Sequence, residues 1–187
     1  MIKEPISAGG RTIDATPEVK KWYVAYTLPK SEEKAQNQLE KIGIHCYLPM
    51  HRVIRNWSDR KKKLLVPLFP NYIFVNIADK KRNETFTVKE IVRYVSFGGK
   101  PAVINESIIN SLQHILDKTM DIDIEKYVQP GVYVRITHGP FAGSEGVLMR
   151  RNGNTRLLVQ IDALQQGIAV NISIDDISPL NIEKISP

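Results

Sequence analysis

The side chains able to do chemistry are few and scattered. His45, His51, His114 and His138 lie far apart, and the single cysteine, Cys46, has no partners at metal-ligand spacing. No nucleophile and base form a recognisable pair, and no glycine-rich loop is built to cradle a phosphate. The sequence therefore offers no catalytic residue, no metal site and no cofactor site, and points away from an enzyme. Its chemistry is electrostatic instead. Arg52, Arg55, Arg60, Lys61, Lys62 and Lys63 put roughly six cations into about twelve residues, a density that releases counterions from a phosphate backbone. Trp57, beside them, either stacks on a base or braces the segment. Lys34, Gln38 and Lys41 recur at helical spacing and form a second polar ridge, read either as a nucleic-acid contact or as a solvated helix face.

Where the charge sits sharpens this. The net charge of +6 divides into −1 for residues 1–19, +7 for residues 20–127 and 0 for residues 128–187. Phosphate contacts are thus expected from the middle segment, and protein contacts from the C-terminal one. The 42% hydrophobic and 25% charged shares are those of a globular chain, and no apolar run reaches the roughly 18 residues of a membrane span. Residues 1–19 carry Pro5, Gly9, Gly10 and Pro17, lack the apolar core of a secretion signal and read as a loose arm. One cysteine, read as a buried thiol in a strand, fits a reducing cytoplasm.

Alternating elements must position the basic groups. Trp22 to Thr27 reads as a buried strand, followed by a helix after Ser31 that has Glu32 and Glu33 in its first turn, an apolar stripe of Ala35, Leu39 and Ile42, and Gly43 as its stop. Ile44 to Leu48 reads as a strand, and Arg52 to Val66 as a hairpin with its tip at Ser58-Asp59. Leu68 to Ile77 is a strand apolar on both faces, which requires cover on each. A short helix over Glu84 to Ile91, a strand over Val92 to Phe97, and a helix capped by Asn105 with Ile108, Leu112 and Ile115 along one face complete the segment. Residues 118–130 read as a linker.

Beyond the linker the pattern is all-β. Val132 to Ile136, Gly146 to Met149, Arg156 to Ile161 and Ile168 to Ile172 are short strands separated by Gly139-Pro140, Gly143, Asn152-Gly153-Asn154 and Gln166-Gly167. Glycines 139, 143 and 146 are expected to supply positive backbone torsions, Phe141 to plug a small closed barrel, and His138 to be exposed.

The stretch Gly131 to Val147 resembles the KOW motif. Pro67-Leu-Phe-Pro-Asn-Tyr-Ile-Phe-Val75, preceded in order by Trp22-Tyr23, Glu32-Glu33-Lys34 and Tyr47-Leu48-Pro49, resembles the N-terminal domain of the NusG family of transcription factors. The resemblance implies an α+β protein: an arm (1–19), a NusG-type α/β sandwich domain (20–117), a linker (118–130) and an SH3-like KOW β-barrel (131–182). Leu158 through Asp162, Ala169, Val170 and Asp175-Asp176-Ile177 look UpxY-like, which implies one of the specialised paralogs such as RfaH and UpxY, and the Phe-Gly-Arg turn of housekeeping members is missing.

By the same resemblance the chain is a cytoplasmic, monomeric elongation or antitermination factor that suppresses pausing or termination on particular operons. Tyr72 and Phe74, neighboured by Phe69 and Phe97, would seat on the clamp helices of RNA polymerase, as an aromatic patch that the fold leaves uncovered. Lys34, Gln38 and Lys41 would meet the non-template DNA strand, the basic hairpin would meet upstream DNA or nascent RNA, and the KOW domain would meet a ribosomal protein, a termination factor or nothing. The His-Thr-Thr turn by which RfaH-like proteins touch the polymerase gate loop is replaced by Asn83, Glu84 and Thr85. The competing reading is a KOW-containing RNA- or ribosome-binding protein.

Overall fold

The computed structural model describes residues 18–56, 61–118, 122–126, 131–151 and 154–180. Strand β1 (Lys20–Thr27) is the hub of the N-terminal half. It pairs antiparallel with β5 (Tyr72–Ala78) on one side and with β6 (Ile91–Tyr94) and β9 (Val103–Ile104) on the other. β2 (His45–Tyr47) extends the sheet beyond β5, giving the order β2-β5-β1-β6. β3 (Met50–Asn56) and β4 (Lys61–Pro67) form a separate two-stranded hairpin, and its expected tip lies outside the described residues.

Strand alternation gives each face of the sheet its own cover. Tyr23, Ala25, Ile73, Val75, Ile77 and Cys46 point to one side, where Ala35 and Leu39 of helix α1 (Glu32–Lys41) close a core. Gly43 ends that helix at φ +76°, as expected, but Ile42 is half exposed and Ile44 takes the core position. Trp22, Val24 and Phe74 point to the other side and meet Ile109, Leu112, Ile115 and Leu116 of helix α2 (Glu106–Lys118). The Asn105 side chain accepts the Ser107 N–H at 2.9 Å at the start of α2.

Two elements differ from expectation for backbone reasons. The strand expected from Leu68 begins only at Tyr72, because Asn71 adopts φ +68° and its N–H donates to the buried Glu32 carboxylate at 2.7 Å. Glu32 therefore clamps a turn as well as opening a helix. The expected helix over 84–91 is instead a 3-10 segment over Asp79–Thr87, and the strand after it is broken. β7 (Ser96–Phe97) turns through Gly98-Gly99, both at positive φ, into β8 (Lys100–Pro101).

The C-terminal half is one six-stranded antiparallel sheet in the order β10-β14-β13-β12-β11-β15, formed by β10 (Asp123–Lys126), β11 (Tyr133–Ile136), β12 (Glu145–Arg151), β13 (Asn154–Ile161), β14 (Gln166–Asn171) and β15 (Ile177–Pro179). Val134, Leu157, Val159, Ile168 and Val170 fill its interior, and Phe141 packs against it half-buried. The stretch read as linker thus contributes a strand, with Ile124 opposite Ile168. Gly139 and Gly143 have positive φ; Gly146 does not, and is needed because a Cβ there would stand 2.4 Å from the Leu158 carbonyl oxygen.

Candidate interaction surfaces

The aromatic face is built by three neighbouring strands. Tyr47 stacks on Phe74 with centroids 6.3 Å apart, Phe69 meets Phe74 edge-on at 6.2 Å, and Tyr26 meets Tyr72 edge-on at 5.5 Å. The expectation that the fold leaves this patch open is corrected: Phe74 is 0% and Phe69 1% exposed. The apolar stripe of α2 covers them, and the same cluster continues into the C-terminal sheet. Across α2, the Glu145 N–H donates to the Ser111 hydroxyl at 2.8 Å, and the His114 ring nitrogen lies 3.0 Å from the Pro140 carbonyl oxygen. Burial, then the Asp117 carboxylate, pushes the Tyr47 hydroxyl well above its ordinary pKa.

What stays accessible is the rim. Tyr72 and Tyr26 are half-buried, with the exposed Arg93 guanidinium 5.3 Å over the Tyr26 ring. Phe97, 59% exposed, lies on the separate β7–β8 hairpin and makes no ring contact with this face among the described residues. Tyr26 and Arg93 were not among the residues the sequence singled out; the register that sets Tyr26 opposite both Tyr72 and Arg93 is the only signal for them. Thr85, in the gate-loop-like stretch, is wholly buried. Its hydroxyl lies 2.7 Å from the Arg82 carbonyl oxygen and 2.9 Å from the Tyr94 hydroxyl, so only Asn83 and Glu84 face outward.

The basic groups fall on two elements that meet. A cleft of about 770 Å³ is lined by Lys30, Glu33 and Lys34 at the start of α1, by His51, Leu65 and Pro67 at the hairpin base, and by Gln166 of the C-terminal sheet. Lys34 pairs with Glu90 at 2.5 Å and holds that carboxyl below its usual range, so it is not a free cation. Gln38 is half-buried and Lys41 exposed, further along α1. On the hairpin, Arg52, Lys61 and Lys63 share one face and Lys62 lies on the other, all exposed. Arg60, Trp57 and the side chain of Arg55 lie outside the described residues. Burial lowers the His51 pKa, leaving that ring neutral at pH 7.

No three His, Cys, Asp or Glu residues among those described could hold a metal, and no described helix is long and apolar enough to cross a membrane. The Cys46 thiol, donating to the Gln36 carbonyl oxygen at 3.8 Å, is pushed up to about 12 by burial and then by Glu40, so it stays protonated.

The β1–β5 sheet, the hairpin and most of α2 coincide with a family match over residues 20–113, described as "Transcription termination factor nusG". The chain belongs to the NusG family. This is a family of transcription factors and not of enzymes. A relative in Pasteurella multocida (strain Pm70), named Transcription termination/antitermination protein NusG, is 27% identical over 185 residues, covering 89% of this chain and 98% of the relative. A relative of the same name in Haemophilus influenzae is 28% identical over 155 residues, covering 73% of this chain and 81% of its own. A solved structure titled "Domain interaction in Thermotoga maritima NusG" is 25% identical, covers 84% of this chain and 96% of its own, and gives a TM-score of 0.43.

Proposed function

We propose that the chain is a transcription elongation or antitermination factor that attaches to the clamp helices of RNA polymerase, and that it is a specialised, UpxY-like member of its family acting on particular operons. The observation that carries the reading is the family match over the sheet and hairpin, together with relatives named for termination and antitermination. The polymerase seat is the aromatic rim with the β7–β8 hairpin: Tyr72 and Phe97 make contact, Tyr26 and Arg93 flank Tyr72, and Phe69 and Phe74 hold the rim from beneath. The share of this face under the C-terminal sheet becomes available only when the two halves separate.

Seated there, the protein bridges the clamp and disfavours paused states while the polymerase performs the chemistry. The exposed cations of the hairpin, with Arg55 and Arg60, grip nearby nucleic acid, and Gln38 and Lys41 extend that surface; Lys34 joins it if Glu90 releases it. A groove of about 240 Å³ beside the KOW turn, lined by His138, Phe141, Ile172 and Asp176, is the place for a ribosomal protein or termination factor. Co-purification with core polymerase tests the main claim. Tyr72→Ala with Phe97→Ala should abolish retention while leaving the circular dichroism spectrum unchanged. Full retention by the folded double variant, or recovery of ribosomal particles in place of polymerase, would sink it.

A further inference from the structure

Strand β4 belongs to a ribbon of only two strands, so its edge away from β3 has no neighbouring strand. The register says which backbone groups that edge presents. The Leu68 N–H donates to the Pro49 carbonyl oxygen at 2.8 Å, which makes Pro49 and Leu68 a bonded pair. Bonded and non-bonded pairs alternate along an antiparallel ladder, so Val66, Leu64 and Lys62 turn their N–H and C=O groups toward β3. Lys61, Lys63 and Leu65 turn theirs outward, as Pro67 does its carbonyl, and these groups meet no backbone partner among the described residues. Pro67 falls in the outward set, where its missing N–H costs no ladder bond. The cleft of about 770 Å³ lies along this edge: Leu65, Val66, Pro67 and Leu68 follow one another in its wall, and His51 alone comes from β3. Side chains divide the strand in two. Leu65 is 56% exposed on one face and Leu64 and Val66 are half-buried on the other, whereas Lys61, Lys62 and Lys63 are all exposed. Lysines on an open edge repel a like strand, and the same charges attract a strand that carries carboxylates.

We propose that the free edge of β4 accepts an extended segment of a partner protein as an added antiparallel strand, aliphatic in its first half and acidic in its second. Main-chain bonds to Lys63 and Leu65 hold the segment. Its aliphatic side chains cover Leu65 on one face and Leu64 and Val66 on the other, and its carboxylates meet the lysines. Antiparallel addition continues the ribbon's own pattern and sets the aliphatic N-terminal half beside Val66 and the acidic half beside Lys61. The same lysines belong to the proposed nucleic-acid surface, so strand and nucleic acid compete for the hairpin. The edge lies apart from the aromatic rim and does not depend on polymerase attachment.

The test uses the nitrogen-15-labelled full chain and the synthetic peptide acetyl-Val-Ile-Val-Glu-Asp-Glu-amide, followed by amide hydrogen exchange. The peptide should slow exchange at Lys63 and Leu65 and leave Leu64 and Val66, already bonded to β3, as they are. Methylating the backbone nitrogens of the Ile and both Glu residues removes the N–H groups that would face β4, and should abolish the effect. Methylating those of both Val residues and the Asp removes the N–H groups that point away, and should preserve it. Lys63→Glu should weaken peptide binding about tenfold, because a like charge replaces an attractive cross-strand pair. No slowing with the parent peptide, or equal behaviour of the two methylated peptides, overturns the proposal. Duplex DNA that slows the same two amides would make the edge a nucleic-acid contact and overturn it equally. Polymerase plays no part in these readings, so this claim and the attachment to polymerase fail independently.

Discussion

The two faces of the β1–β5 sheet carry the same strands and make opposite commitments. On one face Ile73, Val75 and Ile77 meet α1, the segment around Ile44 to Met50 and the segments around Val88 to Tyr94, so the core is private to the N-terminal half. On the other, Trp22, Val24 and Phe74 meet α2, and the cluster runs on to Val134 and Leu157 of the C-terminal sheet and to Leu164 in the 3-10 turn after β13. A private core sets whether the domain exists, while a shared one sets how its neighbour sits. The shared face also holds the polar irregularities: the Trp22 indole without an acceptor, Ser111 spent on a backbone N–H of the other half, and Tyr72 at a half-open rim.

Core truncations break this contrast most directly. Phe74→Ala should cost about 3–5 kcal/mol and Leu39→Ala about 2–5 kcal/mol in urea denaturation, since both side chains are fully enclosed. Their reach should differ. Leu39→Ala should leave the amide resonances of β11 to β14 in place, whereas Phe74→Ala should move them. Equal perturbation of the C-terminal sheet by both would erase the distinction between private and shared cores.

Surface charge gives the next largest effect, and on binding alone. Lys61→Gln, Lys62→Gln and Lys63→Gln together should lower the slope of log affinity against log salt for duplex DNA by up to about 2.7, at about 0.9 per lost phosphate contact, with the melting temperature unchanged. A slope that does not move would remove the hairpin from the nucleic-acid surface.

The smallest effect concerns Lys34 and Glu90 on the α1 side. Because Lys34 holds the Glu90 carboxyl below its ordinary range, the pair's stabilisation is present above the usual glutamate pKa of about 4.3 and fades as pH falls through the lower folded value. Lys34→Gln should therefore be less stable than the parent above that range, lack this component of the parent's acid loss, and converge with it below both values. Coincident acid transitions would show that the pair contributes nothing.

Much of this was legible beforehand. Alternation in Trp22 to Thr27 and Tyr72 to Ile77 gave the strands, Gly43 and Asn105 the helix boundaries, and glycine spacing the C-terminal sheet. Most misses have a cause in tertiary contacts that local pattern does not encode. Leu68 and Phe69 have strand composition, but Pro70-Asn71 is a turn signal that the strand reading passed over, and the Glu32 carboxylate holds the Asn71 N–H in that turn. For the candidate surface, the aromatic residues were found but not their exposure. The breadth of the α2 stripe says that it covers something, and nothing along the chain says that it covers Phe74 and leaves Phe97 out. The Lys34–Glu90 pair, fifty-six residues apart in sequence, was likewise invisible until the fold brought α1 beside the approach to β6.

Strand β10 sets the reach of everything that follows it. With β10 zipped to β14, the four residues 119–122 are all that join α2 to the C-terminal sheet, a leash of about 14 Å at full stretch. Peeling β10 away frees the chain from 119 to 132 and lengthens that leash to roughly 48 Å, enough to swing the sheet clear of the aromatic face. The strand is thus a reel: once the shared core and the Ser111–Glu145 bond let go, its four residues of pairing decide how far apart the two halves can fish.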